Sequence, residues 1–300
     1  MKTICICNQK GGVAKTTTAV NLAAILAREF GRRVLVIDAD SQGNATSFLG
    51  GDKSRPGMAA LLQGAPMVPL QLTNTGTDMQ LIAASDELMD LDLTKAGEGK
   101  LAVGCLSDLL QYLDTQPLPF DYCLIDCPPA FNAASSAALI AADAVLIPVK
   151  LDAFAIEGMT NLMRQIANMR RLNPKLQLLG VLPVMWYRSE TIQRAESTLR
   201  AAGLKVLPRI RRSDRVDDMT YHQQPLIVCS PRSAPCRDYR ALASWIVGQE
   251  RRERIATPVT RSLARNDSGE DAAAGKPLRG HDVETGKRRP GRPRKGGAQA

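Results

Sequence analysis

Short apolar runs alternate with stretches of helical periodicity along the first 250 residues of the chain. The runs are typical of buried strands, because they are short, apolar and rich in β-branched side chains. Between them, apolar residues recur three and four positions apart, which is the spacing of one helix face. Strands are predicted at 3–7, 34–37, 79–83, 121–126, 144–149, 178–184 and 206–207, and helices around 19–26, 58–62, 101–113, 156–172, 190–202 and 237–249.

This alternation predicts right-handed β-α-β units, because parallel neighbouring strands are joined by crossover connections. We therefore expect an α/β protein with one doubly wound, mostly parallel sheet. Residues 51–78 are rich in Gly, Pro and polar side chains and are interpreted as a variable connection. Sheets of this type bind ligands at the carboxyl ends of their strands, which is where we look for chemistry.

A glycine-rich loop lies between the first predicted strand and the first predicted helix. It reads Lys-Gly-Gly-Val-Ala-Lys-Thr-Thr from Lys10 to Thr17. Such a loop leaves backbone N–H groups free at a helix N-terminus, where they can bind a phosphate. Lys15 would supply charge to the outer phosphates, and the Thr16 hydroxyl is placed for Mg²⁺. The alternative is a plain strand-to-helix connection with surface lysines.

Acidic residues follow two of the apolar runs. Asp38 and Asp40 come directly after the run at 34–37, and Asp126 ends the run at 121–126. Because the carboxyl ends of parallel strands meet at one edge, we expect the three carboxylates to converge on the glycine-rich loop. Carboxylates beside a Lys-Thr loop suit Mg²⁺-nucleotide chemistry.

The loop departs from the ordinary P-loop pattern at two positions. Gln9 and Ala14 stand where glycines are expected, and Lys10 precedes Lys15 by five residues. This arrangement resembles the deviant Walker A motif of the ParA and MinD class of ATPases, which has P-loop NTPase topology. The resemblance covers residues 1 to about 250, and its other carriers are 38–44, 126–129, 141–149, 157–158, 207–209 and 231–233.

The resemblance implies roles for these residues. Lys10 would reach across a nucleotide-sandwich homodimer, Asp40 would position or deprotonate the attacking water, and Asp126 would hold a Mg²⁺-bound water. The predicted catalytic residues are accordingly Lys10, Lys15 and Asp40, and the predicted metal site is Thr16, Asp40 and Asp126. The cofactors would be ATP and Mg²⁺, and the predicted nucleotide-binding residues are Lys10, Gly11, Gly12, Val13, Ala14, Lys15, Thr16, Thr17 and Pro208.

Two departures from the family pattern affect this site. Ser41 replaces a proline in the switch segment at 38–44, which could loosen the segment but removes no catalytic group. Ile210 replaces an asparagine that family members have near adenine, so base recognition must differ here.

Charge divides the chain into a nearly neutral body and a basic tail. Residues 251–300 hold 13 Lys and Arg against 6 Asp and Glu, so they carry +7 of the formal net charge of +9. Apolar periodicity stops after Gln249, and we predict a body at 1–250 followed by a disordered tail at 251–300. The segment 287–295 resembles an AT-hook, with Pro290 in place of the usual arginine, and a generic polybasic tail is the alternative. Its predicted DNA contacts are Arg288, Arg289, Arg292 and Arg294.

A second basic cluster lies in the body. Lys205 and Arg215 flank Arg209, Arg211 and Arg212, and Arg188 lies in another loop of the same half. By the resemblance, basic residues in this half bind DNA without sequence preference after dimerisation. The predicted contacts are Arg188, Arg209, Arg211 and Arg212, and a solvated charged loop is the alternative.

Seven cysteines, several in or beside apolar runs, favour a reducing cytoplasm. No apolar run approaches the ~18 residues that span a bilayer. The polar tail lacks the amphipathic membrane helix of MinD-type proteins, and neither paired cluster-ligating cysteines nor a second P-loop points to the nitrogenase-reductase or arsenite-pump types. We expect a cytoplasmic, nucleoid-associated protein.

The predicted function is an ATPase that partitions plasmid, mobile-element or chromosomal DNA. Its ATP-bound dimer would bind DNA nonspecifically, and a ParB-type centromere-binding protein would stimulate hydrolysis and release. A nucleotide-gated DNA-binding regulator is the main alternative. A metabolic P-loop enzyme, such as a cobyrinate or biotin-pathway ligase, is a more distant one.

Overall fold

The computed structural model describes residues 1–75, 78–94, 101–152 and 155–256. Residues 1–256 form one compact unit. Of the predicted disordered tail at 251–300, residues 251–256 belong to a helix, which contradicts the prediction there. Residues 257–300, including the AT-hook-like segment with Arg288, Arg289, Arg292 and Arg294, lie outside the described residues.

Seven strands form a single sheet in the order β3-β4-β2-β5-β1-β6-β7. Every neighbouring pair is parallel except β3 and β4, which confirms the predicted α/β fold with a mostly parallel sheet. The strands are β1 (Lys2–Ile6), β2 (Val34–Asp38), β3 (Gln71–Leu72), β4 (Met79–Ile82), β5 (Tyr122–Asp126), β6 (Ala144–Lys150) and β7 (Gln177–Val184).

Helices cover both faces of this sheet. They are α1 (Lys15–Phe30), α2 (Asn44–Phe48), α3 (Met58–Leu62), α4 (Glu87–Thr94), α5 (Cys105–Asp114), α6 (Ala133–Ala141), α7 (Ala155–Met169), α8 (Glu190–Ala201), α9 (Arg215–His222), α10 (Leu226–Cys229) and α11 (Ala234–Ala256).

The core has two apolar layers, one on each face of the sheet. Along β1, Ile4 and Ile6 belong to the layer that contains α1 and α11. Cys5 and Cys7 belong to the opposite layer, with α5, α6 and α7. This alternation follows from the two-residue period of a strand, and both layers are buried because helices cover both faces. The sheet is therefore doubly wound, as predicted.

Some elements differ from the prediction for identifiable reasons. The segment at 206–207 is wrong as a strand, since it makes only an isolated bridge between Val206 and Val181, and Pro208, which has no N–H to donate, interrupts the pairing before it resumes at 210–212. Helix α6 is rich in alanine and apolar nearly all round, so it shows no periodicity. Helix α11 continues seven residues beyond Gln249, because Glu and Arg are good helix formers whatever their polarity.

The register of β1, β2 and β5 places the ends of these strands, with the predicted functional residues, at one level of the sheet. Asp38 at the end of β2 and Ile6 at the end of β1 are both opposite Asp126 at the end of β5. The glycine-rich loop follows β1 directly, so it lies beside both carboxylates.

Candidate nucleotide-binding site

The glycine-rich loop turns through two left-handed residues. Gly12 has φ 67° and Ala14 has φ 59°, and helix α1 begins at Lys15. No side chain caps α1, so the backbone N–H groups of its first turn stay available to an anion. Ala14 occupies a conformation that glycine adopts more easily, and this is one of the two positions where the ordinary motif has glycine. Gly11, Gly12 and Val13 thus form a backbone cradle ahead of the helix.

Lys15 is held inside the loop. Its side chain is 7% exposed, and its ammonium lies 3.4 Å from the carbonyl oxygen of Lys10. A buried ammonium with one long hydrogen bond is costly unless an anion approaches it. The position of Lys15 therefore suits a phosphate ligand in the loop.

Thr16 and Asp126 are directly joined. The Thr16 hydroxyl donates to Asp126 Oδ2 at 2.6 Å, and the other oxygen, Asp126 Oδ1, is buried without a hydrogen-bond partner among the described residues. Burial raises the pKa of Asp126 well above its usual range, and the negative charge of Asp38 adds to the shift. The hydrogen bond from Thr16 and the positive charge of Lys15 oppose this shift without cancelling it.

Asp38 has a different environment at the same level of the sheet. Its Oδ2 accepts from the Thr46 backbone N–H at 2.7 Å and the Thr46 hydroxyl at 2.8 Å, and its Oδ1 accepts from the Asp40 N–H at 3.2 Å. Burial raises the pKa of Asp38 to about 6, while these hydrogen bonds oppose the shift. Asp38 therefore fixes the loop that carries Asp40 and the start of α2.

Asp40 is 7% exposed and lies in a tight turn. Its Oδ1 accepts from the Gln42 N–H at 3.1 Å, and its carbonyl accepts from the Gly43 N–H at 2.8 Å. Gly43 has φ 63°, a conformation that favours glycine. The turn therefore holds the carboxylate of Asp40 in one place, although position 41 is a serine and not the proline of the family pattern.

The residues present fit a hydrated Mg²⁺ ion. A Mg²⁺-bound water that donates to Asp126 Oδ1 would satisfy that orphaned oxygen, and the Thr16 oxygen keeps its lone pairs while its hydrogen goes to Asp126. Within the described part of the chain, no three acidic, cysteine or histidine side chains are arranged as a ready metal site. Mg²⁺ usually takes one or two protein ligands and completes its shell with waters and phosphates.

Lys10 lies at the rim of the loop and forms an ion pair with Asp152, which follows β6. Its backbone N–H donates to Asn8 Oδ1 at 3.0 Å, and Asn8 Nδ2 donates to the Pro148 carbonyl at 2.7 Å. The loop is thus tied to β6 at its first residues. Sequence reasoning missed Asp152, although an acid just beyond an apolar run is the signal that identified Asp38.

Two cavities lie on either side of Thr17. One, of about 300 Å³, is lined by Ala14, Met185, Ile210, Arg212 and Tyr239 among others. The second, of about 360 Å³, lies against Thr16 and α2. Either has the size of a small-molecule site. Pro208 is exposed and is not among the described residues that line them.

Three of the predicted DNA-contacting arginines lie around Trp186. Arg209 stacks its guanidinium 3.6 Å from the centre of the Trp186 ring, and the Arg212 N–H donates to the Trp186 carbonyl at 2.9 Å. Arg188 follows Trp186 by two residues, and all three arginines are exposed. Arg211 differs, because its guanidinium pairs with Asp238. We call residues 208–213 the basic loop.

A phosphate-binding loop between β1 and α1, with carboxylates at the ends of the neighbouring strands, defines a nucleotide-binding P-loop protein. The family model described as an AAA domain matches residues 1–178. The chromosome partitioning protein ParA of Caulobacter vibrioides is 36% identical over 84% of this chain and 96% of its own length. The chromosome-partitioning ATPase Soj of Thermus thermophilus is 37% identical over 83% and 96%. The chain belongs to the ParA-type family of partition ATPases, as predicted.

Solved structures agree with this assignment. Apo McdA from Cyanothece has a TM-score of 0.71 at 27% identity and covers 83% of this chain and 100% of its own. Cobyrinic acid a,c-diamide synthase from Mycobacterium smegmatis, with bound ADP and magnesium, has a TM-score of 0.69 at 30% identity and covers 84% and 96%. The predicted P-loop NTPase topology is therefore confirmed. Helices long and apolar enough to cross a membrane are absent from the described residues.

Proposed function

We propose that this protein is an ATP- and Mg²⁺-dependent DNA-partitioning ATPase. The observation that carries the proposal is the joined pair of Thr16 and Asp126, with its orphaned oxygen, beside the buried ammonium of Lys15. A relative solved with ADP and magnesium, and family members named as chromosome-partitioning ATPases, support it.

The residues of the loop have separate tasks in this reaction. Backbone N–H groups of the loop after Lys10 and of the first turn of α1 bind the phosphates, and Lys15 neutralises the outer ones. Mg²⁺ held near Thr16 and Asp126 would offset the charge that develops on the transferred phosphoryl group. Asp40 orients the attacking water and accepts its proton, because its carboxylate is held at the carboxyl edge by the turn at 40–43.

Lys10 would complete the site of a second copy of the chain. Its ion pair with Asp152 is partly exposed, with 41% of the Lys10 side chain accessible, so the pair is weak enough to be exchanged for a phosphate. We propose that ATP binding drives formation of a homodimer in which each Lys10 contacts the partner's nucleotide.

The ATP-bound dimer would bind DNA nonspecifically through its basic surface. Arg188, Arg209 and Arg212 are exposed around Trp186, and phosphate contacts from arginine carry affinity without reading sequence. The basic tail would add further contacts. A ParB-type partner would then stimulate hydrolysis and release the protein from DNA. Partitioning would thus depend on repeated cycles of ATP-dependent DNA binding and release.

A metabolic ligase is a second candidate, because a diamide synthase is among the similar solved structures. The deciding experiment measures ATP turnover by the full chain alone, with DNA, and with DNA plus the centromere-binding product of a neighbouring gene. Joint stimulation supports partitioning, whereas unstimulated turnover that depends on a soluble carboxylic acid supports a ligase. ATP-dependent DNA binding without stimulated turnover would favour a nucleotide-gated regulator. Lys15→Ala is the matched negative control.

A further inference from the structure

Two consecutive residues near the start of α11 contact two different functional segments. The carboxylate of Asp238 accepts from Arg211 Nη2 at 2.6 Å, from Arg211 Nε at 2.9 Å and from the Arg211 backbone N–H at 2.9 Å. The hydroxyl of Tyr239 lies 3.1 Å from Thr18 Oγ1, one residue beyond the phosphate loop. One turn of α11 therefore joins the basic loop to the first turn of α1.

These contacts are better protected than ordinary surface pairs. Thr18 and Tyr239 are buried, and the Asp238 side chain is only 14% exposed. A two-point arginine–carboxylate contact fixes the orientation of both groups, which a single point contact does not. At the basic-loop end the Arg211 side chain is itself 42% exposed, so it is the two-point contact that orients it, whereas the Thr18–Tyr239 end is buried.

The link also borders the cavity beside Thr17. Tyr239, Arg211 and Arg212 line that cavity of about 300 Å³ together with Ala14 and Thr17 of the phosphate loop. A ligand that fills the cavity would therefore touch the phosphate loop, the link and the basic loop at once.

Arg211 occupies the middle of the basic loop, between two exposed arginines. The backbone there is paired to the end of β7, since the Ile210 N–H donates to the Pro183 carbonyl at 2.7 Å and the Arg212 N–H to Trp186. Arg211 Nη2 also donates to the Ala234 carbonyl at 3.3 Å. Its guanidinium is thus directed to α11, while Arg209 and Arg212 remain exposed on either side.

We propose that Asp238, Arg211 and Tyr239 form a mechanical link that transmits nucleotide occupation of the cavity beside Thr17 to the basic loop. Arg211 is then a positioning residue that sets Arg209 and Arg212, and it does not itself contact DNA. This inference deepens the proposed function, because it names the residues that make DNA binding depend on ATP.

The variant Asp238→Asn distinguishes a positioning role of Arg211 from a direct contact between Arg211 and DNA. If Arg211 were a DNA contact, removing the neighbouring negative charge would raise DNA affinity. The link instead predicts that the gain in DNA affinity on adding Mg²⁺-ATP falls by about five-fold or more, the lower end of typical coupling between sites, whatever happens to the affinity without ATP. An unchanged or larger gain would overturn the link.

Arg211→Lys and Arg212→Gln form a matched pair. Lysine keeps the charge but loses the two-point contact, so Arg211→Lys should lose the ATP-dependent gain while the salt dependence of DNA binding stays the same. Arg212→Gln should reduce the slope of log affinity against log salt by about 0.9, the loss of one phosphate contact, and keep the gain. A reduced slope with a retained gain in Arg211→Gln would make Arg211 a DNA contact and refute the assignment.

Hydrogen exchange of residues 208–213 tests the link without DNA. Mg²⁺-ATP should change exchange in this segment of the wild-type chain, and Tyr239→Phe, which removes only the hydroxyl, should abolish most of the change while a thermal melt shows a folded protein. No change in the wild type would overturn the link. A change in the wild type without ATP-dependent DNA binding would overturn the proposed function and leave the link standing.

Discussion

At the scale of single residues, the buried carboxyl groups of Asp38 and Asp126 lie side by side in different surroundings, and we expect them to have different roles. Asp38 accepts hydrogen bonds from Thr46 and from the Asp40 backbone, whereas Asp126 has one oxygen occupied by Thr16 and one without a hydrogen-bond partner in the described part of the chain. Hydrogen bonds to a carboxylate favour its charged form, and a nearby like charge disfavours it. Asp38 therefore holds the segment 38–44 in place, and we propose that Asp126 is the group that responds to a bound cation.

Lys15→Ala should lower ATP affinity by about 10- to 100-fold, the range for losing one hydrogen bond to a charged group. The reason is that the buried ammonium of Lys15 lies inside the phosphate loop. Titration with a fluorescent ATP analogue measures the effect. The matched control is Lys175→Ala, an exposed lysine just before β7 at the opposite edge of the sheet. Equal affinities in the two variants would refute the role of Lys15.

Asp40→Asn should keep ATP affinity and slow hydrolysis by roughly 10²- to 10⁴-fold, the usual contribution of a general base. Asparagine preserves the hydrogen bond that the side-chain oxygen accepts from Gln42, so the turn should persist. Single-turnover measurements with saturating Mg²⁺-ATP separate binding from chemistry. Turnover within a factor of three of wild type would mean that another group activates the water.

At the scale of elements, sequence predicted the sheet and the phosphate loop because both rest on local patterns. Buried parallel strands are continuous apolar runs, and the loop is defined by spacing. Contacts between segments that are distant in the sequence have no local sequence pattern from which they could be predicted. Asp238 and Arg211 are 27 residues apart, and Thr18 and Tyr239 are 221 apart. Helix α6 has no apolar periodicity, and the only signal of it in the sequence was Asn132, a favoured N-cap residue.

The contact between the phosphate loop and the segment after β6 predicts a change in assembly. Lys10→Ala should bind Mg²⁺-ATP as a monomer, because the charge proposed to reach the partner's phosphate is gone. Asp152→Asn should dimerise at up to about five-fold lower ATP concentration, since a partly exposed ion pair is worth at most about 1 kcal/mol. Light scattering after size exclusion reports both. Dimerisation of Lys10→Ala at wild-type ATP concentrations would remove Lys10 from the interface.

At the scale of the whole molecule, the nearly neutral body and the basic tail should contribute separately to DNA binding. The boundary between them has to respect α11, which continues to Ala256. Glu250 accepts a hydrogen bond from the Tyr122 hydroxyl at 2.7 Å, so a cut after Gln249 would remove a contact of the folded body. Truncation after Ala256 is the cleaner experiment.

Removing residues 257–300 should flatten the dependence of DNA affinity on salt and leave ATP turnover nearly intact. Six of the nine residues at 287–295 are basic, and four to six phosphate contacts would contribute a slope of roughly −4 to −5. A larger loss on A·T-rich than on G·C-rich duplex would identify an AT-hook, because only the former has a narrow, electronegative minor groove. Equal losses would indicate a polybasic tether, and no loss would exclude a DNA role for the tail.

Most of the cysteine thiols of this protein are buried in the two core layers. Cys105 and Cys229 are partly accessible, whereas Cys5, Cys7, Cys123, Cys127 and Cys236 are buried. Burial raises the pKa of Cys123 and Cys236 and also that of Cys229, so accessibility, not thiolate content, separates the two groups. A thiol-alkylating reagent at neutral pH should therefore modify two sites quickly and the other five only when the sheet opens. The rate of the slow phase, followed by intact-mass spectrometry, would then measure how often the fold opens. ATP should lower this rate by stabilising the native state.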